Sequence, residues 1–358
     1  MKKKILVSTG GSGGHVVPAI AFYEHLKEDF EVLLVLDERG SKYINKEKYQ
    51  YRIIESPRFT LNFLKLPLFL VNFLISIFKS FFLLKKNNVD ILIGTGGYMS
   101  VPICIAARFL NIKIYLFEPN IVIGKANKFL LKYCNKIFCY SEKIINFPKK
   151  FENKIYKIDQ ILRKNIYKLN DIEKEEVKNR VKLLIIGGSQ GAIFFDKNLK
   201  NSIRDISKKY SLKVYHQVNH SDMKNLKSFY ENNNIKNQLF NFENDIFKYI
   251  VEANIAITRA GASTLSELAF LKVPFIAIPY RFATDNHQLE NALYYKENGC
   301  CWLLKEEEFD QNKLTTLLIN IIENREDYLN KKKSLEKFYY QNNWNNINKK
   351  LINFLNEN

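Results

Sequence analysis

The segment Gly10-Gly-Ser-Gly-Gly-His15 follows the run Lys4-Ile-Leu-Val-Ser-Thr9 without a break. A buried parallel strand that stops in a glycine loop before a helix leaves backbone N–H groups converging on one point, and such a cradle takes an anion. An imidazole at its mouth adds a group that exchanges a proton near neutral pH. The spacing fits neither common phosphate motif. Val16 stands where the fingerprint G-x-G-x-x-G needs its third glycine, and no Gly-Lys-Ser/Thr follows as in a P-loop. A phosphate or sugar site of another kind is expected.

The elements that would position this loop recur along the chain. Asp90-Ile-Leu-Ile93 runs into Gly94-Thr-Gly-Gly97-Tyr98, Lys182-Leu-Leu-Ile-Ile186 into Gly187-Gly-Ser189-Gln-Gly191, and Asn254-Ile-Ala-Ile257 into Thr258-Arg-Ala-Gly261. Helical patterns such as Pro18–Lys27 and Thr264–Leu271 lie between them. Strands alternating with helices predict an α/β fold of doubly wound parallel sheets. Two glycine loops fall in each half, so two Rossmann-like domains are expected, 1–160 and 161–337, with the boundary in the charged stretch Asp159–Glu176. The last helical pattern, within 338–358, suits either domain. Ligands of such sheets sit beyond the carboxyl ends of the strands. A cleft between two facing domains is therefore the expected site.

The chain has 358 residues, enough for two full cores, and a formal net charge of +18. That charge suits an anionic membrane surface or nucleic acid. Nucleic acid is not expected, because the chain has no dense Arg-rich run and no RNA-binding aromatic motif. Cys104, Cys134, Cys139, Cys300 and Cys301 are odd in number and form no Cys-x-x-Cys pair, which suits a reducing cytosol. The apolar stretch Ile5–Val7 is too short for a secretory signal.

Between Arg58 and Asn88 there is no acidic residue, and Leu61–Leu84 is overwhelmingly apolar and nominally long enough to span a bilayer. Pro67 interrupts it, and Lys65 and Lys79 lie within it. At 100° per residue, Asn72, Ser76, Lys79 and Lys86 fall on one narrow stripe. That stripe and the basic flanks favour a helix lying on the membrane surface. Two other readings stay open: a buried crossover helix, and a transmembrane span, which would break the connection that the Asp90 strand requires.

Taken together, the loops resemble the MurG family of bacterial glycosyltransferases. Gly10 through Pro18 matches the family's first motif and Gly94-Thr-Gly-Gly-Tyr98-Met-Ser100-Val-Pro102 its second. Glu118-Pro-Asn120 with Gly124-Lys-Ala-Asn127 matches the third, Gly187–Gly191 the fourth, and Arg259-Ala-Gly-Ala-Ser-Thr-Leu-Ser-Glu267 the fifth. Pro279-Tyr280 through Ala283-Thr-Asp285-Asn-His287-Gln288 and Asn291 matches the sixth. Two positions depart from the pattern. Asp159-Gln-Ile-Leu-Arg163 replaces Gly-Asn-Pro-Val-Arg, and Pro119 replaces the Gln of Glu-Gln-Asn.

The resemblance implies the two-domain GT-B fold. It also implies inverting transfer of N-acetylglucosamine from UDP-N-acetylglucosamine to the 4-hydroxyl of lipid-linked N-acetylmuramoyl-pentapeptide, in peptidoglycan synthesis. The expected partners are those two substrates and an anionic membrane surface, with the protein peripheral on the cytoplasmic face of the plasma membrane. The C-terminal half would hold the nucleotide sugar and the N-terminal half the lipid acceptor.

Such a transfer needs a base for the acceptor hydroxyl. His15 is the first candidate and Glu118 its rival; Glu118 could equally orient a loop. By resemblance the donor falls to Ser12, Gly13, Asn120, Arg163, Ser189, Ser263, Thr264, Glu267, His287 and Gln288. Glu267 would take the ribose hydroxyls, although its spacing from Thr264 also fits a capping box. His287 and Gln288 would take the sugar. Gly14, Tyr98 and Asn127 would contact the acceptor. The chain contains no Asp-x-Asp, so no metal or other cofactor is expected, and helix N-termini with a cation would stabilise the departing diphosphate. Alternatives are a UDP-sugar epimerase, another lipid glycosyltransferase of the same fold, or a dehydrogenase-like module with Asp37 as its ribose acid.

Overall fold

The computed structural model describes residues 2–57, 62, 64–169, 176–177, 180–188, 193–241, 243, 245–338 and 343–357. The chain divides into two compact units, Met1–Lys164 with Asn342–Asn358, and Asn165–Gln341. The start of the expected apolar segment (58–61 and 63) and part of the expected linker (170–175) lie outside the described residues.

In the first unit the strands are β1 (Lys4–Ser8), β2 (Glu31–Leu36), β3 (Tyr51–Ile53), β4 (Ile91–Gly94), β5 (Lys113–Glu118), β6 (Lys136–Cys139) and β7 (Ile155–Lys157). They form one parallel sheet in the order β3-β2-β1-β4-β5-β6-β7. The central strands are runs of Ile, Leu and Val buried on both faces, as a parallel sheet covered by helices requires. Register pairs Ser8 with Gly94, so the first two glycine loops leave adjacent strands side by side. Strand order reverses between β1 and β4. A crevice opens at such a switch point because the flanking connections turn to opposite faces.

The second unit repeats the plan with β8 (Arg180–Ile186), β9 (Ser211–Gln217), β10 (Lys236–Phe240), β11 (Ile255–Thr258), β12 (Phe275–Ala277) and β13 (Cys301–Leu303). The parallel order is β10-β9-β8-β11-β12-β13. Ile186 pairs with Thr258, which sets the other two glycine loops at this sheet's switch point. The two doubly wound α/β units are the architecture that the strand–helix alternation predicts.

Two helices begin earlier than their sequence pattern suggests. The first runs over Gly13–Leu26, so Gly13 and Gly14 form its opening turn and Pro18 lies inside it. The helix expected from Thr264 starts at Ala262, with Gly261 as N-cap. The closing helix, Trp344–Glu357, belongs to the first unit. Its Phe354 packs on Tyr115, Phe138 and Tyr156, and its Trp344 stacks on His25.

The apolar segment forms the helix Leu66–Lys86 between β3 and β4. Pro67 does not interrupt it. It sits in the first turn, where a missing N–H costs nothing. The helix is turned inside out relative to a soluble crossover. Ser76 and Ser80 face inward: Ser76 Oγ lies 2.6 Å from Glu55 O and 2.8 Å from Asn72 O, either of which can take its one proton, and Ser80 Oγ donates to Ser76 O at 2.7 Å. Leu68, Phe78 and Phe82 are each about two-thirds exposed, at 65%, 64% and 65%. The buried-crossover reading is therefore wrong. The apolar content of the segment lies mostly on the face turned away from the core.

Candidate active site

In the first unit, β1 delivers the loop that ends on His15, and β4 delivers the loop beside it. His15 Nδ1 lies 3.1 Å from Thr95 O. A carbonyl oxygen only accepts, so Nδ1 carries the proton and Nε2 the lone pair. Thr95 Oγ1 donates to His15 O at 3.0 Å, which ties the two loops together from the other side. The ring rests on the turn Gly96-Gly97, where φ is +97° and +81°. A Cβ on Gly96 would come within 2.9 Å of His15 Nδ1. Glycine is required there for both backbone conformation and room.

The opening turn of Gly13–Leu26 holds no acidic residue, and the Ser12 side chain makes no capping hydrogen bond. That end of the helix keeps the partial positive charge that attracts an anion. Gly14 is exposed and Ser12 half-buried. Tyr98, 48% exposed, stands on the neighbouring loop.

Glu118, at the end of β5, is 3% exposed. Its Oε1 accepts from Asn120 N at 3.2 Å and Nδ2 at 2.8 Å, and its Oε2 from Gly124 N at 2.8 Å and Asn127 Nδ2 at 3.0 Å. A carboxylate so surrounded organises the 118–127 loop. Asn127 belongs to the same network. It is 3% exposed and its Nδ2 donates to Phe117 O and to Glu118, so it stands behind the loop and not at its surface. Arg163, at the end of this unit, is also buried.

Asp37, the ribose-acid candidate, is fully engaged in the protein. Its Oδ1 accepts from Gly11 N at 2.9 Å and Gly40 N at 2.8 Å, and Arg39 pairs with Oδ2 at 2.5 Å. It braces the first glycine loop, which removes the dehydrogenase-like reading.

In the second unit the β8 loop begins with Gly187 and Gly188; Ser189, the donor candidate within it, lies outside the described residues. The β11 loop leads into the helix Ala262–Phe270. Ser263 and Thr264 occupy its opening turn, half-buried, and Ser263 Oγ is buried without a hydrogen-bond partner among the described residues. Glu267 is buried one turn further on. Because Gly261 is the N-cap, Thr264 cannot cap, and the capping-box reading of Glu267 fails. Asn291 Nδ2 donates to Ala260 O at 3.1 Å and so holds this loop. Gln288 Oε1 accepts from Tyr280 N at 3.0 Å, and His287 Nδ1 donates to Thr284 O at 2.7 Å. Asp285 and Asn286 are both left-handed, at φ 52° and 54°, which turns the chain sharply into the helix that begins at His287.

Two residues at this site carry roles that sequence motifs alone do not assign. Arg259 Nη1 donates to Ile278 O at 3.0 Å and Glu306 Oε2 at 2.6 Å, with its guanidinium over Phe194, Phe195 and Tyr280. It ties the β11 loop to the start of the sixth motif. Gln217 Oε1 accepts from both Gly187 N and Gly188 N, at 3.1 and 3.0 Å. Its position at the end of the strand next to β8, like that of Asp37 next to β1, is the only signal that could have marked it. Among the described residues no group of three or more His, Cys, Asp and Glu is placed to hold a metal ion.

Residues 5–139 match the glycosyltransferase family 28 N-terminal domain and residues 182–343 the family 28 C-terminal domain. The chain is 50% identical, over 100% of both chains, to the UDP-N-acetylglucosamine–N-acetylmuramyl-(pentapeptide) pyrophosphoryl-undecaprenol N-acetylglucosamine transferase of Pelagibacter ubique. It is 35% identical to the Rickettsia canadensis protein of the same name, over 90% of this chain and 91% of that one. Among solved structures, MurG of Acinetobacter baumannii superposes with a TM-score of 0.74 at 22% identity, covering 98% of this chain and 99% of that one; it supports the fold.

Proposed function

We infer the activity from one premise: the chain belongs to the MurG family of glycosyltransferases, by 50% identity over its full length to one member and 35% over 90% of it to another. It is a hexosyltransferase of the GT-B fold. It transfers N-acetylglucosamine from UDP-N-acetylglucosamine to the lipid-linked N-acetylmuramoyl-pentapeptide, the step that makes the disaccharide lipid of peptidoglycan synthesis.

The hydrogen bond of His15 Nδ1 to Thr95 O is the observation that carries the mechanism. It fixes the tautomer in which Nε2 takes the proton from the acceptor's 4-hydroxyl. The oxygen then attacks the anomeric carbon opposite the UDP, the bond from that carbon to the diphosphate oxygen breaks, and configuration inverts. Gly14, Tyr98 and the N-terminus of Gly13–Leu26 receive the acceptor. On the donor side, Glu267 takes the ribose hydroxyls and His287 with Gln288 the sugar. By the family resemblance, Ser263, Thr264, Ser189 and Arg163 are assigned to the diphosphate, and Ser12, Gly13 and Asn120 to the rest of the donor. The unpartnered Ser263 Oγ supports this reading. The reaction is expected to run without a metal: a chelator should leave the rate unchanged, and a loss restored by magnesium or manganese would overturn that point.

The outward apolar face of Leu66–Lys86, closed by Lys85 and Lys86, supports docking on an anionic membrane surface. The protein then works peripherally at the cytoplasmic face, where the lipid acceptor is reached. A transmembrane course is disfavoured, because the helix connects two strands of one parallel sheet and keeps Ser76, Ser80 and Leu84 buried.

The deciding experiment incubates the full chain with radiolabelled UDP-N-acetylglucosamine and the lipid-linked muramyl-pentapeptide. Label in the lipid phase as a disaccharide is expected. Release of an epimerised free sugar nucleotide, with no lipid product, would establish the epimerase alternative instead.

A further inference from the structure

Each unit closes its first glycine loop with a side chain at the end of the neighbouring strand, Asp37 just past β2 and Gln217 the last residue of β9, and the two differ in charge. In the first unit it is the carboxylate of Asp37, neutralised by Arg39 at 2.5 Å. In the second it is Gln217, at the end of β9, 3% exposed, whose single Oε1 holds both Gly187 N and Gly188 N. The surroundings fix Gln217 firmly. Val218 N donates to Phe240 O at 2.8 Å, Asn219 N donates to Asp196 Oδ2 at 3.1 Å, and His216 Nδ1 lies 2.9 Å from Tyr230 OH. The turn that it ties has Gly188 at φ +81°, and among the described residues no atom lies within 4 Å of a Cβ added there. The brace holds the turn from the strand side.

We infer that Gln217 is a positioning residue for the donor's diphosphate, a neutral oxygen that fixes the Gly187-Gly188 turn without placing negative charge beneath the bound anion. This rests on the reading that the second unit holds the nucleotide sugar. A carboxylate would accept the same two hydrogen bonds with more strength. It would also repel a diphosphate across the loop in a poorly screened setting, and an amide avoids that cost.

The test compares wild type, Gln217→Glu and Gln217→Leu as full chains, titrated with UDP and, by ligand-detected NMR, with uridine. Melting curves check folding, and Gln217→Leu carries the same test should the Glu variant not fold. Gln217→Glu is expected to weaken UDP about tenfold or more, which is about 1.4 kcal/mol, with uridine within about twofold of wild type. Gln217→Leu loosens the turn without adding charge and is expected to weaken UDP by about threefold, uridine again unmoved. In turnover the Glu variant raises KM for the sugar nucleotide and leaves kcat within about threefold. Equal losses for UDP and uridine, or UDP affinity unchanged in both variants, would overturn the assignment. Wild-type protein that binds no UDP would overturn the donor reading itself, a result distinguishable from failure of the variants alone.

Discussion

His15 and Glu118 are both protonatable groups on loops at strand ends, and their hydrogen bonds separate their roles. His15 Nδ1 donates to Thr95 O, which sets the tautomer whose basic nitrogen is Nε2. Glu118 receives four donors from its own loop. His15→Ala is expected to lower kcat by about 10²–10⁴-fold with little change in melting temperature, measured by turnover and calorimetry. Glu118→Gln puts an NH₂ group against donors and is expected to destabilise the first unit by about 1–3 kcal/mol, read from urea denaturation. A Glu118→Gln protein of wild-type stability but hundredfold slower turnover would return the base to Glu118.

At the scale of elements, the helix Leu66–Lys86 separates what folds the protein from what the protein presents. Its serines hydrogen-bond inward, and Ile77, Phe81, Leu83 and Leu84 join the core of the first unit. Leu74 and Phe78 lie outside that set, both more than half exposed. Leu74→Glu with Phe78→Glu is expected to abolish co-sedimentation with anionic vesicles while shifting melting by no more than a surface substitution does, about 0.5 kcal/mol each. Turnover on a short-chain, water-soluble acceptor should be retained. Unchanged vesicle binding would show that this face does not dock. Ser80→Phe makes the opposite prediction: overpacking at a buried position costs about 1–3 kcal/mol without altering the outer face.

Across the whole molecule, both units build the same device, two glycine loops side by side at the reversal of strand order. The closing helix then returns to the first unit and seals its end. His25 is buried there, its Nε2 3.0 Å from Leu162 O and its ring stacked on Trp344. Burial, with the Asn348 and Leu162 hydrogen bonds opposing, pulls His25 from 6.5 down to about 4. His216, buried in the second unit, is lowered for the same first reason. A histidine held neutral when folded but free to charge when unfolded leaves stability intact above about pH 6.5. Stability then falls as pH drops toward 4, because the unfolded chain binds the extra proton. His25 alone accounts for up to about 3 kcal/mol of that loss. Urea denaturation at pH 7, 5.5 and 4.5 should show the decline, and His25→Gln should flatten it. Stability constant from pH 7 to 4.5 in the wild type would contradict the burial argument.

The α/β architecture and the strand ends at which the glycine loops begin were legible in the sequence, because they are written locally. Runs of Ile, Leu and Val, glycines where backbone must turn, and a histidine after a glycine loop all lie within a few residues of one another. The stripe of Asn72, Ser76 and Lys79 was equally visible, but of the three only Ser76 turned out to pack inward, beside Ser80, Ile77 and Leu84. Periodicity places residues on a face without saying which face meets the core. The roles of Glu118, Asn127, Asp37, Arg259 and Gln217 needed the tertiary structure for a related reason. Whether a polar side chain meets a ligand or the protein's own backbone depends on partners brought by other segments: for Gln217, N–H donors 29 and 30 residues away, and for His15, an accepting carbonyl 80 residues on. The sequence determined that an imidazole stands at an anion cradle. Only the fold decided which nitrogen of that imidazole holds the proton.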